Sequence, residues 1–135
     1  MNATQATGTL TTKSWEEKPF AEIDGAPKLS HDRVSHAFTG DIEGEGIWQN
    51  LNAYRDDSSA VFTGYERVVG RVAGRSGSFV LEVSGTYENG EARISWSVVP
   101  GTATGELRGM HGSGSYVATA SAEEGYAYRL EYGFD

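Results

Sequence analysis

The chain contains no cysteine in its 135 residues. That excludes a disulfide scaffold, a thiol nucleophile and any Cys-ligated zinc or iron–sulfur centre. No apolar run reaches the length of a signal peptide or a membrane span, so the expected compartment is the cytoplasm and a membrane is not an expected partner. An Asn-x-Thr triplet begins at Asn2, but glycosylation there needs secretion, which nothing else supports. Positive charge is sparse: 11 Lys and Arg against 19 Asp and Glu leave a formal charge of −8. The arginines are scattered from Arg33 to Arg129 without a basic face, and phosphate-backbone binding needs clustered positive charge, so nucleic acid is not expected either. No helical His-x-x-x-His or Glu-x-x-His pair, Gly-x-Ser-x-Gly elbow, Walker loop or Gly-x-Gly-x-x-Gly fingerprint occurs. Metal, hydrolase, kinase and dehydrogenase readings lack support, and no cofactor is expected.

Glycine is abundant: eighteen residues, many of them threaded between β-branched and aromatic residues from Gly40 to Gly114. Glycine weakens a flat strand, so this many inside apparent strands implies bulges, strong coiling or close approach of layers. Three Trp, seven Tyr and five Phe supply core bulk. The length fits one domain, residues 1–135, able to bury a single core.

Strand signals recur along the chain. GTLTTKSW (8–15) reads as a first strand, and Pro19, Asp24, Gly25 and Pro27 make 16–32 an excursion over one barrel mouth. Val34, His36, Phe38, Gly40 and Ile42 share one face at period two. Strands follow around Ile47–Tyr54, over 60–73, over SFVLEVSGTY and, after the Asn89-Gly90 hairpin signal, over ARISWSVV. Pro100 to Gly112 reads as a folded turn with Leu107 and Met110 tucked in, followed by two final strands, the last with Tyr126, Tyr128, Leu130, Tyr132 and Phe134 on one face. About eight strands joined by hairpin-length turns favour an all-β, up-and-down antiparallel meander closed into a barrel.

Glu66 is the acid that stands out, because it shares parity with Phe62, Val68 and Val72. If that face points inward, a carboxylate lies in an apolar lumen as a candidate general acid or base. The competing reading is that it pairs with an arginine or faces water. His36, beside Phe38 in a good strand, is the second catalytic candidate, against the commoner role of a hydrogen-bonded core histidine. His31 and His111 fall in expected loops and receive no role. Asp41, Glu43 and Glu45 suggest a calcium site by type, but strand spacing splays them into a solvated stripe, and Glu82 leans to solvent. Trp15, Phe38, Phe62, Val68, Trp96 and Tyr128 are expected to line a lumen for an apolar or aromatic ligand, or to fill it solid.

The stretches FTGDIEGEG (38–46), FTGYERVVGRVAGRSGSFVLEVSGTY (62–87) and VVPGTATGELRGMHGSG (98–114) resemble a bacterial domain-of-unknown-function family, number 3224. Its members resemble allene oxide cyclase in architecture, an eight-stranded antiparallel barrel, and the 100–114 segment is similar to the glycine-rich turn of that cyclase and of dirigent proteins. The resemblance implies a fold and a cavity class rather than an activity. Allene oxide cyclase shapes its substrate without a cofactor, using a carboxylate and ordered water, but its catalytic residues do not map onto this chain one by one.

The resulting expectation is a barrel that binds a small hydrophobic or aromatic molecule, with cofactor-free isomerase or cyclase chemistry from Glu66 and His36. The alternatives are a non-catalytic carrier or sensor using the same pocket, and a solid barrel acting through a homo-oligomer interface.

Overall fold

A computed structural model describes residues 4–119 and 125–135 of the chain. Eight strands run in sequence: β1 (Thr4–Phe20), β2 (Leu29–Gly40), β3 (Ile42–Asp56), β4 (Ser59–Val72), β5 (Arg75–Glu88), β6 (Glu91–Val98), β7 (Met110–Thr119) and β8 (Tyr126–Phe134). Each pairs antiparallel with its neighbour in sequence, and β8 returns to β1, closing the barrel. Among the described residues the one helical element is a 3-10 turn at Gly105–Leu107, and no helix is long and apolar enough to cross a membrane.

Inward positions fall on even residue numbers in β2, β3, β4, β6, β7 and β8 and on odd ones in β5. The parity changes at the turn through Ala73 and Gly74, whose φ values of 49° and 84° give both residues the left-handed backbone of a type I′ hairpin. Asn89 and Gly90, at 50° and 84°, repeat it as the Asn-Gly signal requires. In β1 a bulge between Thr12 and Ser14 shifts the register, so Leu10 opposite Phe38 and Trp15 opposite Val34 both join the inward face.

Two expected boundaries differ. Residues 16–20 continue β1 rather than beginning a loop, with Pro19 opposite Ser30, and β2 begins at Leu29. Beyond Leu10 the described residues of β8 no longer flank β1, and proline is tolerated on such an edge because no ladder partner needs its missing N–H. The turn expected at 74–77 is shorter, and Arg75 already starts β5.

The barrel ends differ in chemistry. At one end β5 outruns β6, since pairing stops at Leu81 opposite Val98, and the 99–107 connection satisfies the protruding backbone. Val99 N–H donates to the Val80 carbonyl at 2.9 Å and Thr104 N–H to the Ser78 carbonyl at 2.8 Å. Val80 N–H donates to Thr102 Oγ1 at 3.1 Å, and Ser76 N–H to Glu106 Oε1 at 2.9 Å. That anchoring drives Leu107 into the barrel, fully buried, with Met110 beside it in the core cluster. Ile42, Val72, Phe79 and Leu81, each 1% exposed or less, complete an apolar plug. The opposite end carries the 21–28, 57–58 and 89–90 turns, and the described residues there surround the mouth of a cavity.

Candidate functional site

Above the apolar plug the inward residues of β2 and β3 become polar. Ser30 and Asp32 on β2 face Asn52 and Asn50 on β3 in register, and all four are buried. Asn52 Nδ2 donates to Asp32 Oδ2 at 2.8 Å and to Ser30 Oγ at 3.0 Å, while Asn50 Nδ2 donates to Asn52 Oδ1 at 3.0 Å. Among the described residues the second oxygen of Asp32 and the Asn50 side-chain carbonyl have no hydrogen-bond partner, nor does the Trp48 indole N–H. A buried polar group without a partner is costly. These three residues border one cavity of about 520 Å³ that opens at the barrel mouth. Its other walls are mostly apolar, with Val34, Phe62, Ile94, Tyr116 and Tyr126 prominent, which is the composition of a small-molecule pocket.

His36 also borders this cavity. Its Nδ1 lies 2.8 Å from Glu66 Oε2, with both side chains buried, Glu66 completely. With Glu66 as a carboxylate, which only accepts, Nδ1 is the donor of this contact and Nε2 is the ring's other nitrogen available for hydrogen bonding. The imidazole is fixed by stacking on Trp48 at 5.9 Å between centroids and by edge contacts to Phe38 and Tyr116. Room for the carboxylate comes from Gly46, where a Cβ would collide with Glu66 Oε2; likewise Gly85 leaves space for the ring of Phe62. The glycine ladder thus shapes the site as well as the sheet. Burial raises the pKa of the Tyr116 hydroxyl well above its ordinary range, and the nearby Glu66 carboxylate adds to the rise, so Tyr116 stays protonated.

The residues expected from sequence separate into two tiers. His36, Phe62 and Trp15 border the cavity, Trp15 as a largely exposed rim residue. Phe38, Val68, Trp96 and Tyr128 lie in the packed core cluster outside the cavity lining. Tyr128 has a structural task there: its hydroxyl donates to the Thr39 carbonyl at 2.8 Å and accepts from Ile42 N–H at 2.9 Å, satisfying the β2–β3 turn. Glu66 is inside, with neither an arginine partner nor solvent contact. Glu82 and the acidic stripe of Asp41, Glu43 and Glu45 are exposed.

Sequence reasoning missed Ser30, Asp32, Asn50 and Asn52. Around Asn50 and Asn52 the apolar residues of β3 point outward, with Ile47 40% and Leu51 49% exposed while Asn50 is 1% exposed. The available signal was parity: Asn50 and Asn52 alternate in step with Trp48, so an inward Trp48 carries both asparagines inward.

At the rim, Glu17 accepts from Ser30 Oγ at 2.6 Å and Tyr54 Oη at 3.0 Å and pairs with Lys28 at 3.4 Å. Partial burial acts to raise the Glu17 pKa, but these hydrogen bonds and Lys28 together outweigh it and hold the carboxyl below 4.5. Burial and the bond to Glu17 push Tyr54 upward. A carboxyl with a depressed folded-state pKa contributes stability that is complete above its unfolded value and lost as pH falls through the folded one. Glu17→Gln is therefore expected to reduce stability at neutral pH and to narrow the gap from wild type below pH 4.5. Urea midpoints at the two pH values check this, and an equal loss at both contradicts it.

Residues 6–132 match the family described as a protein of unknown function, DUF3224. A crystal structure of a DUF3224-family protein of unknown function from Shewanella oneidensis MR-1 is similar, with a TM-score of 0.79 at 28% identity, covering 98% of each chain. No curated protein matches the sequence.

Proposed function

Since the chain belongs to the DUF3224 family, for which no function is established, we propose from its own geometry that the barrel binds one small hydrophobic or aromatic molecule in the mouth cavity and presents it to the His36–Glu66 pair for proton transfer. The observation that carries this reading is a buried, carboxylate-oriented imidazole bordering a cavity of about 520 Å³ with mostly apolar walls. The aromatic walls orient the ligand, and the polar tier of Asp32 and Asn50 takes its polar end. His36 Nε2 accepts a proton from an acidic C–H or O–H of the ligand, Glu66 stabilises the imidazolium, and the proton returns at a second position. That sequence is an isomerisation or cyclisation that consumes no co-reactant.

The test begins with a native mass spectrum of protein purified gently from its own cells. The expected result is a reproducible small-molecule mass lost on denaturation. With that compound as substrate, Glu66→Gln is expected to preserve affinity and abolish turnover; unchanged turnover removes the catalytic role and leaves a carrier or sensor. A bare protein mass together with no retained compound argues against the pocket reading. One observation favours self-association as an additional property: Ile47, Leu51, Val61, Tyr65 and Val69 make an exposed outward stripe on β3 and β4. Sedimentation at several concentrations reads that directly.

A further inference from the structure

We propose that the cavity ligand carries a protonated amine, bound by Asp32 and by the surrounding aromatic rings. This rests on the ligand-binding reading above and specifies the charge of what is bound. Asp32 is 8% exposed, yet no cationic side chain pairs with it among the described residues. Its Oδ2 receives the two asparagine amides, and its Oδ1 receives nothing. A buried carboxylate is normally paired with a cation or fully hydrogen-bonded. Here the missing partner is on the cavity side, because Asp32 borders the cavity.

Apart from the Trp48 indole N–H, a donor without an acceptor, the neighbouring polar groups favour a cation. The Asn50 carbonyl is a second buried acceptor without a donor, and Asp57 adds another carboxylate to the lining. The basic side chain of the lining, Lys28, is already engaged by Glu17 at 3.4 Å and sits over the Tyr54 ring at 4.4 Å. Trp48, Phe62, Tyr116 and Tyr126 offer ring faces and edges around the same space, and an organic ammonium is attracted to such rings as well as to the carboxylate. An anionic ligand meets two carboxylates and no free cation, in a protein of formal charge −8. A hard metal ion is disfavoured because no group of three metal-ligating acids or histidines occurs among the described residues.

The experiment titrates the intact protein with tryptamine, indole-3-ethanol and indole-3-acetate, three probes sharing one ring and differing in charge, followed by calorimetry. Tryptamine is expected to bind at least about 30-fold more tightly than the alcohol, as a buried charge partner warrants, and the acetate least. Asp32→Asn is expected to remove the preference for the amine, lowering tryptamine affinity far more than that of the alcohol. Should that variant fail to fold, the wild-type comparison of the three probes decides alone. Equal binding of amine and alcohol, or preference for the acetate, overturns the amine assignment and leaves ligand binding standing. Binding of none of the three at millimolar concentration overturns the assignment, and with a bare native mass it also overturns the pocket reading. Stabilisation by calcium chloride without any by tryptamine identifies the site as inorganic instead.

Discussion

Replacing His36 by leucine is expected to lower folding stability by about 3–5 kcal/mol, because it leaves the Glu66 carboxylate buried without a counter-group. Glu66 is fully buried and, among the described residues, its Oε1 lacks a partner and His36 Nδ1 supplies the one hydrogen bond to its side chain. Removing that donor strands a desolvated charge, whereas removing both groups does not. The double variant His36→Leu with Glu66→Leu is therefore expected to recover most of the loss, since replacing both members of a buried hydrogen-bonded pair by well-packed apolar side chains is often neutral or stabilising. Urea denaturation of the wild type, both single variants and the double variant closes the cycle. Additive losses would mean that the two side chains act independently and that the 2.8 Å contact is not what holds them in place. A stabilised double variant would place the pair among features kept for chemistry at the expense of stability.

Trp96→Ala carries a comparable cost for a different reason, about 3–5 kcal/mol from lost burial and the void left behind. Trp96 is 2% exposed, and its ring meets Phe38, Tyr116 and Tyr128 at centroid distances of 6.1, 5.1 and 6.0 Å. Its indole N–H has no partner, so Trp96→Phe removes an unsatisfied donor along with some volume and is expected to cost under about 1.5 kcal/mol. The contrast between the two variants, read from denaturation midpoints, separates packing from hydrogen bonding. An alanine variant as stable as the phenylalanine one would mean that the ring is not wedged between its neighbours.

The two variants also mark what was readable from the chain and what was not. Alternation at period two identifies the inward set of Val34, His36 and Phe38 and the parity of Glu66 with Phe62 and Val68, and the turn residues at Asn89-Gly90 pin a hairpin. Closure of the sheet then converts those faces into an interior. His36 was named from the chain as a possible partner of Glu66, but their direct contact could not be derived from periodicity, because β2 and β4 are separated by β3 and the approach across Gly46 depends on barrel curvature. Trp15 joined the inward face through a bulge whose only trace in sequence is an ordinary Lys13. The polar tier was hidden by the inverted hydrophobicity of β3. Four buried polar side chains hydrogen-bond one another only when β2 and β3 are in register, and a one-residue slip would put Ile47 and Leu51 inside.

The asymmetry between the two ends bears on how such barrels diverge. The end closed by Leu107, Met110, Phe79 and Leu81 holds most of the tightly packed apolar residues, while the residues that border the cavity sit at the other. Substitutions at Asp32, Asn50 or Phe62 can therefore reshape the cavity while the plugged end keeps the stability that folding requires. A lineage built on this plan can remodel its mouth many times without passing through an unfolded intermediate, which makes the mouth a natural place for selection and for redesign to work.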